Sequence, residues 1–82
     1  MPQRLDEIGA TVQLDARDLL CPEPVMLLHR AFRNMATGET LRIVATDPST
    51  QRDIPNFCTH LNHQLLENKE HNGEYRYLLQ KG

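Results

Sequence analysis

The sequence predicts an α/β two-layer sandwich of order βαβαββ, a four-stranded sheet carrying both helices on one face. Apolar residues alternate over 11–16 and 39–46, recur at helical spacing over 25–35 and 54–65, and the last stretch is divided by Asn72-Gly73. Right-handed crossovers then place both helices on the same side. The opposite face stays partly wet, which suits a hydrophobic content of 39%.

Each element has its own warrant. In Thr11 to Ala16, Val12, Leu14 and Ala16 fall on one face and Thr11, Gln13 and Asp15 on the other, as in a half-buried strand. After Arg17 to Cys21, the prolines Pro22 and Pro24 open a helix with Val25, Leu28, Phe32 and Met35 on one stripe, ending before Gly38. Glu39 to Thr46 is the second strand, with Leu41, Ile43 and Ala45 facing inward, and Asp47-Pro48-Ser49-Thr50 stops it. Ile54, Phe57, Cys58, Leu61 and Leu65 line one face of a second helix. An interior proline removes a helical hydrogen bond, so Pro55 predicts a separate turn at Ser49 to Arg52 or a helix starting near Asp53. Leu65 to Lys81 forms a hairpin about Asn72-Gly73, a pair suited to the two positive φ angles of a type I′ turn.

Size and charge exclude several function classes. A chain of 82 residues makes one small domain that buries only about 60% of its unfolded surface, so a deep multi-subsite pocket is not expected. Lys+Arg 9 against Asp+Glu 11 gives a net charge of -2, which argues against an electrostatic grip on nucleic acid or an anionic membrane. Two cysteines outside any CxxC pair exclude a disulfide scaffold, a zinc ribbon and a local dithiol centre, and point to a reducing compartment. Residues 1–10 lack an apolar run and are expected to form a flexible N-terminus to a single domain over 11–82, soluble and cytoplasmic.

The chemistry concentrates in Leu20-Cys21-Pro22-Glu23-Pro24, which sets a thiol beside a helix N-terminus. Pro22 biases Cys21 toward the extended conformation of a capping residue, and Pro24 makes itself the simplest first helical residue, with Pro22 the other register. The missing proline N–H groups go unpaired in a first turn anyway, so the thiol's platform is stiffened at little cost. The helix dipole and free first-turn N–H groups favour the thiolate, while Glu23 opposes it if its carboxylate lies close. Between a strand end and a helix start, Cys21 is expected to be exposed, whereas Cys58 shares the apolar stripe of the second helix and is expected in the core.

Other groupings carry less. Cys58, His60 and His63 are closely spaced, but Cys58 and His60 point to different helix faces, so surface histidines are expected and no metal site. His29, Arg30 and Arg33 form a basic patch near the thiol, either a solvated face or a docking surface for a partner. Asp47 is read as a cap for the second helical region.

The residues Leu14-Asp15-Ala16 through Cys21-Pro22-Glu23-Pro24-Val25, Gly38-Glu39-Thr40, Asp47-Pro48, Asp53-Ile54-Pro55 and Phe57-Cys58 resemble the TusA (SirA-like) sulfur carrier family. Tyr75-Arg76-Tyr77-Leu78 and Lys81-Gly82 extend the resemblance over nearly the whole chain. It implies a mixed four-stranded sheet like that of the C-terminal domain of translation initiation factor three. It also implies that Cys21 accepts sulfur as a persulfide from a pyridoxal-phosphate cysteine desulfurase (IscS-like) and passes it to the TusBCD complex for 2-thiolation of tRNA wobble uridine. Delivery to molybdopterin synthesis or other sulfur pathways is the alternative acceptor route. The family loop usually has glycine where this chain has Asp18, a residue that tolerates the left-handed conformation better than most.

The expected function is therefore sulfur carriage on Cys21, with no cofactor of the carrier's own. Its rivals are a self-sufficient sulfurtransferase or thiol reductase, a non-covalent regulatory module docking through Arg30 and Arg33, and direct tRNA binding, which the charge disfavours.

Overall fold

The computed structural model describes residues 10–82. The elements run β1 (Val12–Ala16), α1 (Glu23–Arg33), β2 (Thr40–Ala45), α2 (Thr50–Leu61), β3 (Gln64–His71) and β4 (Glu74–Gln80). The expectation for the N-terminal segment falls on residues 1–9, outside those described, and on Ala10 alone within them.

The sheet has the order β1-β2-β4-β3. β1 and β2 are parallel, with Leu14 opposite Ile43, and β4 runs antiparallel to both β2 and β3. Alternation decides the faces: Ala16, Leu41, Ile43, Ala45, Tyr75, Tyr77 and Leu79 are buried together with Leu28 and Phe32 of α1 and Ile54, Phe57 and Cys58 of α2. Fully burying aliphatic side chains such as Leu28, Ile43 and Ile54 contributes roughly 1.5–3 kcal/mol each. The opposite sheet face is polar and half-wet, crossed by the Arg42–Glu67 ion pair at 3.2 Å. Among the described residues no helix is long and apolar enough to cross a membrane.

α1 ends earlier than its apolar stripe. Asn34 and Met35 donate their N–H groups to Ala31 O and Phe32 O, tightening the last turn, and Met35 is buried just beyond it. Lys81 Nζ closes that end by donating to Phe32 O at 2.6 Å and Met35 O at 2.5 Å, which places a positive charge on the negative pole of the helix. The hairpin turns where expected, with Asn72 at φ 52° and Gly73 at φ 80°.

α2 corrects the reading around Pro55. The helix begins at Thr50 and carries Pro55 in its interior, rather than starting near Asp53. The carbonyl that Pro55 leaves without a partner belongs to Gln51, which is exposed and can bond to water instead. The start is fixed by Thr50, whose Oγ1 donates to Asp47 O at 2.8 Å and lies 2.9 Å from the buried Tyr77 hydroxyl. Leu61 also departs from expectation: its place on the stripe put it in the core, but it is 44% exposed at the helix end.

Candidate functional site

β1 and β2 are parallel neighbours, so the loops leaving their carboxyl ends lie side by side. The Asp18 N–H donates to Thr46 Oγ1 at 2.8 Å, and the Cys21 N–H donates to Asp47 Oδ2 at 2.7 Å. The other oxygen of that carboxylate, Oδ1, accepts the Ser49 N–H at 3.0 Å. Asp47 therefore does more than cap α2: it ties the thiol's backbone to the helix start. Asp18 sits at φ 67°, so this loop needs the left-handed conformation that glycine adopts freely and Asp tolerates better than most residues.

The entry into α1 differs in register from the sequence reading. Pro22, not Cys21, is the N-cap, and Glu23 is the first helical residue, one before Pro24. The Glu23 N–H is held by Leu20 O at 2.8 Å, and Pro24 is buried, so packing overrides the local bias that Pro24 exerts on Glu23.

Cys21 is exposed and Cys58 is buried, as their positions predicted. Beside Cys21 an open groove of about 390 Å³ runs between the two helices, lined by Pro22, Val25, His29, Asp53, Phe57 and Leu61 among others. The small size of the chain makes a deep multi-subsite pocket unexpected, and this groove is open to solvent between the helices. His29 forms one wall with its ring edge-on to Phe57 at 4.9 Å, and Arg33 follows it four residues on along the same helix face. Arg30 and Glu23 lie around the other side of α1 with Leu19, Met26 and Leu27, and Arg33 is exposed in its last turn.

The electrostatics reverse one expectation. Helix-dipole stabilisation of the thiolate was anticipated, yet the Cys21 thiol is pushed above its ordinary value. The first cause is its hydrogen bond to the Asp53 carboxylate, followed by desolvation and by the charge of Asp53, while Ser49 and Arg52 act the other way. Pro22 and Pro24 have no N–H to offer and that of Glu23 is already bonded, so the helix start has little left for the sulfur. The opposing carboxylate is thus Asp53 of α2, not Glu23. Asp53 itself is held below the usual carboxylate range, first by the Cys21 hydrogen bond and then by Arg52, whose Nε lies 3.0 Å from Oδ1.

The site thus joins Cys21 and Pro22 to Asp47, Ser49, Arg52 and Asp53, which sequence reasoning had not assigned to it. The signal was present: two parallel strands adjacent in a sheet bring their following loops together, and each of these loops carries a residue–proline pair, Cys21-Pro22 and Asp47-Pro48. Chemically, the arrangement offers an accessible thiol, a carboxylate on the same groove and room there to receive a partner's side chains.

Comparison with known proteins places this geometry. The family model described as Sulfurtransferase TusA matches residues 12–81. A sulfur carrier protein TusA of Pseudomonas putida strain W619 is 56% identical over 68 residues, spanning 83% of this chain and 85% of that one. One from Pseudomonas aeruginosa strain LESB58 is 54% identical over 83% of this chain and 86% of its own. In fold, the crystal structure of a SirA-like protein from Desulfitobacterium hafniense superposes with a TM-score of 0.77, covering 87% of this chain and 97% of that one at 18% identity. With matches spanning nearly every element that builds the site, the chain belongs to the TusA family of sulfur carriers and sulfurtransferases.

Proposed function

We propose that Cys21 is the residue on which this family member carries sulfur, held as a persulfide between a donor and an acceptor protein. The observation that carries the reading is the contrast between the two thiols: Cys21 is exposed at the rim of a groove, and Cys58 is sealed in the core. Pro22, Glu23 and Pro24 fix the thiol's platform, and the exposed cations Arg30 and Arg33 offer a docking face for an acidic partner surface.

The donor in this reading is a cysteine desulfurase (IscS-like) and the acceptor the TusBCD complex, in a cytoplasmic relay that ends in 2-thiouridine of tRNA. The exchange is thiol–persulfide chemistry, which needs access, a deprotonated sulfur at the moment of attack and no cofactor on the carrier. Reconstitution tests the relay: with desulfurase, cysteine and the acceptor complex, sulfur should reach an acceptor cysteine only when the carrier is present. Cys21→Ser should abolish that delivery. Undiminished delivery through Cys21→Ser would favour a non-covalent docking module, and failure with this acceptor but success with a molybdopterin-pathway acceptor would redirect the route.

A further inference from the structure

We propose that Asp53 is the positioning and proton-accepting residue for the Cys21 thiol during sulfur uptake. The inference deepens the carrier reading above and rests on it.

The geometry comes from two elements that meet only in the fold. Asp53 stands in the first turn of α2 and faces the same groove as Cys21, which precedes α1. The Cys21 thiol and the Asp53 carboxylate line this groove together, and each is the first influence on the other's proton affinity. Arg52 Nε holds Oδ1 at 3.0 Å, and the Asp53 side chain is only 19% exposed, so the carboxylate is fixed rather than free to turn to solvent. Its backbone N–H is tied to Ser49 O at 2.9 Å. The other charged and titratable groups around the sulfur are Asp47, engaged with the Cys21 and Ser49 N–H groups, Arg52 beside Asp53, and His29 and His60 on the groove walls. Glu23 lies around the other side of α1. Asp53 is thus the carboxylate placed to exchange a proton with the sulfur.

The step balances without an external reagent. Cys21 Sγ attacks the terminal sulfur of the donor persulfide as Asp53 takes the Sγ proton. The new S–S bond forms, the donor's own S–S bond breaks, and its electron pair leaves on the donor thiolate, to which Asp53 returns the proton. The sulfane sulfur changes carrier with no net oxidation. In the resting protein the same carboxylate keeps Cys21 as a thiol, which slows reaction with stray electrophiles because the thiolate is the reactive form.

The test compares wild type with Asp53→Asn in two assays on the full chain. Iodoacetamide alkylation of Cys21 is followed against pH, and single-turnover sulfur uptake from a persulfidated cysteine desulfurase is followed at pH 7. Asp53→Asn should lower the alkylation midpoint and speed alkylation at pH 7 several-fold, yet slow sulfur uptake by about tenfold or more, within the range of general-base effects. A more available thiolate that is nonetheless a slower acceptor is a combination that simple loss of structure does not give. An unmoved midpoint, or uptake that accelerates together with alkylation, overturns the proposal. If Asp53→Asn does not fold, Arg52→Gln replaces it: loss of the guanidinium should move the midpoint up, and a midpoint that stays or falls counts against the coupling. The alkylation profile needs no sulfur donor, so it reads Asp53 alone, whereas a wild type that takes up no sulfur contradicts the carrier reading itself.

Discussion

The two cysteines show how one residue type is given two fates by position. Cys58 is pushed up to about 11 by burial, which leaves it an inert packing residue at neutral pH. Cys58→Ala should therefore destabilise the fold by about 1–2 kcal/mol in a denaturant titration, through lost packing, while leaving sulfur loading unchanged. Loss of loading in that variant would show that the buried thiol takes part. Asp18 is the other informative single residue. At φ 67° it occupies a conformation that a β-branched side chain resists, so Asp18→Val should cost about 1–2 kcal/mol, while Asp18→Gly should stay within about 0.5 kcal/mol of the parent. Equal stability of the valine and glycine variants would contradict that account. Both residues were legible in the sequence, Cys58 from helical phase and Asp18 from the resemblance, which implied a glycine at its position. Asp53 was not, because its place on the groove with Cys21 depends on bringing together the starts of two helices 27 residues apart, a distance over which periodicity carries no information.

At the scale of elements, strands and the hairpin followed their patterns closely, since alternation and the Asn72-Gly73 turn are local properties. The helix ends did not. α2 starts three residues before Asp53 because a buried Thr50–Tyr77 contact and the Asp47 cap outweigh the hydrogen bond lost at Pro55. α1 depends at its other end on a cation from β4's far side: Lys81 reaches the Phe32 and Met35 carbonyls, 49 and 46 residues away in the chain. Lys81→Met keeps the aliphatic stem and removes the charge, so it should destabilise by about 1–2 kcal/mol. In a domain of this size that is a fall of roughly 4–8 °C in melting temperature per kcal/mol, and an unchanged melt would mean that water replaces the ammonium without loss.

For the whole molecule, the perturbed groups predict a stability plateau near neutrality. His63, wedged with its ring 4.5 Å from Phe32 and lowered first by desolvation and then by the charge of Lys81, favours its neutral form in the fold. Its contribution is present above the unfolded histidine value and is lost as pH falls through the lower folded one. Asp47 and Asp53 are lowered as well, and Asp15 is held down at about 2 by Arg17, so a second loss follows as pH falls below about 4. Cys21, Cys58 and Tyr77 are raised, favouring the protonated form in the fold, so stability falls again as pH rises past their unfolded values. Denaturant midpoints should therefore be flat between about pH 7 and 8 and decline on both sides, and His63→Gln should flatten the first step on the acid side. A midpoint that rises on acidification from pH 7 to 5 would contradict these assignments. The formal charge of -2 did not reveal this pattern, because the shifts arise from the burial of His63 near Lys81 and from the placing of Asp53 by Cys21, which only the packed chain creates.

Sulfur carriage by this chain requires that the sulfur rest at Cys21. The direct measurement is intact-mass and peptide-mapped mass spectrometry of the purified chain after incubation with a cysteine desulfurase and cysteine. It should show the gain of one sulfur atom, located on the peptide holding Cys21, reversed by a thiol reductant and absent in Cys21→Ser. No gain in the wild type, or an equal gain in Cys21→Ser, would contradict it.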